Sequence, residues 1–221
     1  MRFDVGSFGK TSAAIHRASD PVGATFILAH GAGTDRTHPL VVDLAKRIAD
    51  KGIDVVTFNF LYSEAGRKMP DRPERLEACW LAAIAKIRAK TGFESSPLFI
   101  GGRSMGGRFA TRIASLKEGL VIDGVVCVGY PLHPSGKPEV VREEILAVDV
   151  PLIVVQGTND ELGTAAEMKK FLAKRANMRV HAIEGADHSF GAAPHLDEAA
   201  AVIARFIVRR VDRQTQKRSK R

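Results

Sequence analysis

Six short apolar runs recur along the chain: Ala24–Ala29, Ile53–Phe60, Pro97–Gly101, Ile122–Gly129, Leu152–Gln156 and Arg179–Ile183. They are rich in apolar and β-branched residues. Strands of that kind are buried on both faces, and helical patterns separate most of them. The order therefore predicts an α/β fold, a mostly parallel, doubly wound sheet with helices on both sides. Two N-terminal pieces, near Phe3–Val5 and Ser12–His16, are expected to pair as an antiparallel edge, which brings the sheet to about seven or eight strands.

The intervening helices show as apolar stripes. Leu40/Val41, Leu44 and Ile48 mark one, closed by Lys51-Gly52. Leu76, Trp80, Ile84 and Ile87 mark another, with Asp71 and Glu74 as its expected capping box. Thr164 and Glu167 form a second expected box, ahead of Met168, Phe171 and Leu172; Ala199, Ile203, Phe206 and Ile207 lie on the last helix. The longest irregular stretches are Leu61–Arg72 and Tyr130–Lys137, too short for a lid domain. Residues 1–212 read as a single domain and 213–221 as a basic, unstructured tail.

Charge narrows the partners. Of the net +8, residues 205–221 carry eight Lys/Arg against Asp212 alone, which leaves 25 basic and 24 acidic residues in the body. A near-neutral body argues against a nucleic-acid-binding domain; contact of the tail with RNA or anionic lipid is the lesser reading beside a solvated end. No run is long enough to cross a bilayer, and Met1-Arg2-Phe3-Asp4-Val5-Gly6 has no signal-peptide core. Cys79 and Cys127 lie in apolar segments and are expected to be buried, reduced thiols. A cytoplasmic protein, monomeric or homodimeric, is the expectation.

The chemistry is expected beyond the strand C-termini, where such sheets bind ligands. After Pro97–Gly101 comes Gly102-Arg103-Ser104-Met105-Gly106, a G-x-S-x-G turn that would lift the Ser104 hydroxyl between strand and helix. Gly102 and Gly106 are expected because a Cβ at either would strike a neighbouring element. After the first core strand comes His30-Gly31-Ala32-Gly33, whose small residues let backbone N–H groups approach a ligand. Ala32 and Met105 are the expected oxyanion donors, with Gly31 and Gly33 shaping the turn. After Leu152–Gln156 comes Gly157-Thr158-Asn159-Asp160-Glu161; Asp160 is the expected acid and Glu161 the fallback. After Arg179–Ile183 comes Glu184-Gly185-Ala186-Asp187-His188, with His188 as the expected base. Each residue alone has a plain reading as turn chemistry. Together they give the chain order Ser…Asp…His, each after a strand, which is the pattern of a nucleophilic triad.

Other motifs carry less. Gly9-Lys10-Thr11 ends like a phosphate-binding loop, but Asp4 stands where the pattern needs glycine and no helix follows. The seven histidines show no metal-ligand spacing, and no G-x-G-x-x-G opens a helix after the first core strand, so no metal and no cofactor are expected. Arg103 and Arg108 flank the elbow, each able to meet an anionic substrate or a neighbouring acid. Tyr62 and His133 lie in loops expected to border the pocket, with structural turn roles as the alternative.

Over nearly its whole length the sequence resembles the α/β-hydrolase superfamily. The set His30-Gly31-Ala32-Gly33, Gly101-Gly102-Arg103-Ser104-Met105-Gly106-Gly107-Arg108, Gly129-Tyr130-Pro131-Leu132-His133-Pro134 and Gln156-Gly157-Thr158-Asn159-Asp160 is similar to a small lidless branch of bacterial hydrolases. That branch also takes in an animal testis-expressed protein and a subunit of the nonspecific-lethal histone acetyltransferase complex. Phe58-Asn59-Phe60-Leu61-Tyr62 and Gly66-Arg67-Lys68-Met69-Pro70-Asp71 fit it too. The resemblance implies a hydrolase without a lid; the chromatin-associated relatives imply that the fold can also serve as an interaction module. A more distant similarity to dienelactone hydrolases implies small, acidic, lactone-like substrates, though those enzymes use cysteine where this chain has Ser104. The expected activity is hydrolysis of a small carboxylic ester or thioester by Ser104, His188 and Asp160; a non-catalytic binding or scaffold protein, a dienelactone hydrolase-like activity or a peptidase is the alternative.

Overall fold

A computed structural model describes residues 1–116 and 119–218. The strands are β1 (Arg2–Asp4), β2 (Lys10–His16), β3 (Thr25–Ala29), β4 (Asp54–Phe58), β5 (Leu98–Arg103), β6 (Gly124–Val128), β7 (Leu152–Gly157) and β8 (Met178–Ile183). They form one sheet in the order β1-β2-β4-β3-β5-β6-β7-β8. From β4 to β8 neighbouring strands run parallel, with Ala29 opposite Phe58 on one side and Gly102 on the other. The N-terminal pair is antiparallel, as the sequence suggested, and the structure adds that β2 pairs antiparallel with β4.

The helices are α1 (Pro39–Ala49), α2 (Leu61–Glu64), α3 (Pro73–Arg88), α4 (Met105–Ala114), α5 (Ala165–Phe171) and α6 (Ala193–Arg218). Alternation along β3 explains why both faces are covered. Phe26 and Leu28 pack with Leu44 of α1 and Ile203 of α6, whereas Ile27 and Ala29 pack with Trp80 of α3 and Phe109 of α4. Burial of these apolar strands on two sides supplies the main driving force for the fold. No lid domain interrupts the described residues.

Three local expectations change. Helix α3 starts at Pro73 with Arg72 as its uncapped N-cap, so Asp71 and Glu74 form no capping box. Proline suits the first helical position, which sets the boundary one residue too late for Asp71 to cap; the Asp71 carboxylate instead takes Arg67 at 2.8 Å. The stretch Leu61–Arg72 begins with a helical turn, α2. Finally, α6 runs on to Arg218, so residues 213–218 are helical and not an unstructured tail; no proline or glycine interrupts good helix formers there. Residues 219–221 lie outside the described residues. The Thr164–Glu167 capping box does form, and both cysteines are buried free thiols. Among the described residues no helix is long and apolar enough to cross a membrane.

Candidate active site

The turn between β5 and α4 fixes Ser104. Its backbone sits at φ 50°, ψ −116°, a conformation that costs a non-glycine residue about 1–3 kcal/mol. Close packing enforces it. A Cβ on Gly102 would lie 2.5 Å from the Ala29 carbonyl oxygen, and one on Gly106 would lie 2.5 Å from the same atom. The Ser104 N–H donates to the Val128 carbonyl of β6 at 2.9 Å, tying the turn to the next strand.

The loops after β7 and β8 are joined to each other. Thr158 N–H donates to Ile183, Asn159 N–H to Ala186, and Gly185 N–H to the Thr158 hydroxyl. This zipper brings Asp160 against His188 although 28 residues separate them. His188 Nδ1 lies 3.0 and 2.9 Å from the two Asp160 oxygens, and its Nε2 lies 2.9 Å from Ser104 Oγ. With Nδ1 facing a carboxylate, the proton belongs on Nδ1 and the lone pair on Nε2 faces the serine. Asp160 is only 1% exposed. Its charge is met by Leu162 N–H at 2.9 Å on Oδ1 and Gln156 Nε2 at 2.9 Å on Oδ2. The fallback acid, Glu161, faces the His188 backbone N–H at 3.4 Å. Asp187 accepts from the Ser189 N–H and hydroxyl, contacts that hold its carboxyl below the usual range.

Sequence reasoning missed Gln156. Inside a buried strand, its amide donates to Asp160 and to the Tyr130 and Gly163 carbonyls, and its oxygen accepts from Tyr130 N–H. A lone polar residue in the apolar run Leu152–Gln156 was the available signal, since a buried amide must find partners.

The loop after β3 is pinned through one carbonyl. Gly31 C=O accepts from His30 Nδ1 at 2.8 Å, the Thr34 hydroxyl at 2.9 Å and the Tyr62 hydroxyl at 3.3 Å. In a planar trans peptide the N–H of the next residue points opposite to that oxygen. Ala32 N–H is therefore aimed away from these three donors. Met105 opens α4, so its N–H has no acceptor earlier in the helix, and among the described residues neither N–H donates to a backbone carbonyl. His30 is fully buried, and burial pushes its pKa down to about 4; its neutral Nε2 accepts the Phe60 N–H at 3.2 Å. Tyr62 is likewise buried, its pKa pushed up to about 12.

A cleft of about 400 Å³ opens over Ser104 and His188, walled by Gly31, Ala32, Leu40, Val41, Arg103 and Leu162. Of the expected substrate contacts, Gly31 and Arg103 line it and Tyr62 and His133 do not. Tyr62 sits behind the loop on the Gly31 carbonyl. His133 is turned to the Val140 carbonyl at 3.1 Å and to Glu167 of α5 at 4.0 Å, its loop tied down by the bond from the His133 N–H to the Leu162 carbonyl at 2.9 Å. Arg103 donates from Nη1 to His188 Nε2 at 3.1 Å and from Nη2 to the His188 carbonyl. Arg108 pairs with Glu144, away from the cleft. Among the described residues no group of three or more His, Cys, Asp or Glu side chains could hold a metal ion.

A parallel sheet with a strained serine at the turn from β5 to α4, and a histidine and a carboxylate on later loops, defines the α/β-hydrolase architecture. The chain belongs to that family: the sequence pattern of the alpha/beta hydrolase domain matches residues 22–212. Its fold is similar to an alpha-beta serine hydrolase homologue from Coxiella burnetii (TM-score 0.76, 19% identity, 94% of this chain and 96% of that one). It is similar to a dienelactone hydrolase from Anabaena variabilis (TM-score 0.75, 19% identity, 93% and 94%). It is also similar to a serine hydrolase without a lid from Xanthomonas campestris (TM-score 0.72, 19% identity, 97% and 93%).

Proposed function

We propose that the chain is a serine hydrolase cleaving a small carboxylic ester or thioester through an acyl-enzyme. One continuous line of contacts carries this reading: Ser104 Oγ to His188 Nε2 at 2.9 Å, and His188 Nδ1 to Asp160 at 2.9 Å. Ser104 Oγ attacks the acyl carbon while His188 Nε2 takes its proton. Asp160 holds the imidazole and stabilises the imidazolium that forms. The N–H groups of Ala32 and Met105 receive the developing oxyanion, each worth ~3 kcal/mol. The intermediate collapses, and the leaving alkoxide or thiolate takes the proton from His188. Water, deprotonated by His188, then attacks the acyl carbon, and the second intermediate expels Ser104 Oγ, which takes that proton back from His188 as the acid is released.

The cleft volume, about 400 Å³, suits a compact acyl group. A scaffold would have no use for a serine held at φ 50°. The test is turnover of p-nitrophenyl esters and thioesters of graded chain length, with fluorophosphonate labelling. Wild type should turn over short esters and take the label, and Ser104→Ala should do neither. Equal turnover in Ser104→Ala would refute the proposal.

A further inference from the structure

A second concavity lies at the far end of β8 from His188. It has a volume of about 210 Å³ and is bordered by Arg179 of β8 and by Arg205, Arg209, Arg210 and Arg213 of α6. Its floor is apolar, made by Ile153, Val202 and Phe206. It shares no lining residue with the Ser104 cleft.

The charges there are uncompensated. Among the described residues no carboxylate forms an ion pair with any of the five arginines, and the nearby Glu198 is taken by His181 at 2.7 Å. Arg205, Arg209 and Arg213 recur every four residues, about 6 Å apart along one face of α6. The Arg210 guanidinium lies over the Phe206 ring at 5.7 Å. Burial, and then the charges of Arg213 and Arg179, hold its guanidinium below the ordinary range. The helix dipole favours cations only in the last turn, and Arg205, Arg209 and Arg210 lie more than two turns before Arg218. A charged edge strand discourages sheet-to-sheet pairing, which accounts for Arg179 but not for the four arginines on the helix.

We propose that this concavity binds a small organic phosphate of mononucleotide size, its phosphates on the arginines and its apolar part on Val202 and Phe206. Guanidinium forks match phosphate oxygens two at a time. The cavity is smaller than most ligand sites, which selects a compact occupant over a polymer.

Calorimetric titration at low ionic strength tests it with ADP, inorganic pyrophosphate, adenosine and a single-stranded oligonucleotide series as probes. Wild type should bind ADP and pyrophosphate and leave adenosine unbound. Arg205→Gln/Arg209→Gln should weaken ADP by at least about ten-fold, with circular dichroism and the thermal midpoint reporting that it is folded. If that variant fails to fold, Arg213→Gln alone should show the same direction. The proposal is overturned if wild type binds neither ADP nor pyrophosphate, or if adenosine binds as tightly as ADP. Unchanged affinity in the folded variants overturns it too. So does binding confined to oligonucleotides and rising with their length, which would mark an extended nucleic-acid face instead.

Discussion

Arg103 donates to the same His188 nitrogen that faces the Ser104 hydroxyl, at 3.1 Å against 2.9 Å. Two donors thus share one lone pair in the resting site. Once Nε2 takes a proton it can no longer accept from Arg103, and two cations would stand side by side. The second guanidinium nitrogen, Nη2, donates to the His188 carbonyl.

The bond from Nη2 to the His188 carbonyl also fixes the loop that carries the ring, and losing that positioning outweighs the relief of charge, so both Arg103→Ala and Arg103→Lys should lower kcat for neutral esters by about ten-fold, with KM nearly unchanged. An ammonium cannot span the ring nitrogen and the carbonyl as the fork does, and a lost charged hydrogen bond is worth about 1.5–3 kcal/mol. Steady-state kinetics on a p-nitrophenyl ester read the split. Full kcat in the lysine variant would show that the fork does not set the imidazole.

Gln156→Leu should reduce kcat by about 10- to 100-fold and lower stability together. It removes one of the two donors that meet Asp160 besides His188 and leaves Tyr130 N–H and two carbonyls without their buried partner. Each such loss costs about 1–3 kcal/mol. Parallel kinetics and thermal denaturation check it; a stable variant with normal kcat would contradict it.

Ser104→Gly should be more stable than wild type by about 1 kcal/mol, whereas Ser104→Ala should not. Glycine occupies φ 50° without strain and alanine does not. Both should be inactive. Chemical denaturation of the three proteins side by side measures the difference, and equal midpoints for the two variants would count against backbone strain at the elbow.

His30 makes stability depend on acid. Its pKa falls from 6.5 in the unfolded chain to about 4 in the fold through burial. Between those values the unfolded chain binds more protons, so stability drops as pH falls from 6.5 and the loss levels off below 4. The full loss is on the order of 3 kcal/mol. Thermal midpoints at pH 7, 5 and 4 should decline, and His30→Gln should flatten that part of the decline. An equal slope in the variant would assign it to other groups.

Much of this was readable in the sequence because its signals are local. The alternation of apolar runs with amphipathic stripes names the sheet. The glycines around Ser104 name the elbow, since steric clash is decided within a few residues. Proximity of Ser104, Asp160 and His188 was an inference from chain order, because each follows a strand and parallel strands end on one side. What stayed hidden depends on contacts across the chain. Nothing near Arg103 announces that it reaches a residue 85 positions away. Gln156 gains its meaning only when Tyr130, Asp160 and Gly163 surround it. His133 looked like a pocket residue until its loop was seen facing Glu167. The start of α3 turned on Pro73, where a backbone preference prevailed over the Asp71–Glu74 pattern.

The placement of His188 beyond the final strand has a consequence for biosynthesis. A nascent chain that has emerged only through β7 presents the serine turn and the aspartate, but the imidazole is still to come. Under the proposed mechanism no shorter N-terminal product is competent, and chemistry switches on only when β8 docks along β7. On that mechanism, translation order itself keeps the half-made polypeptide inert.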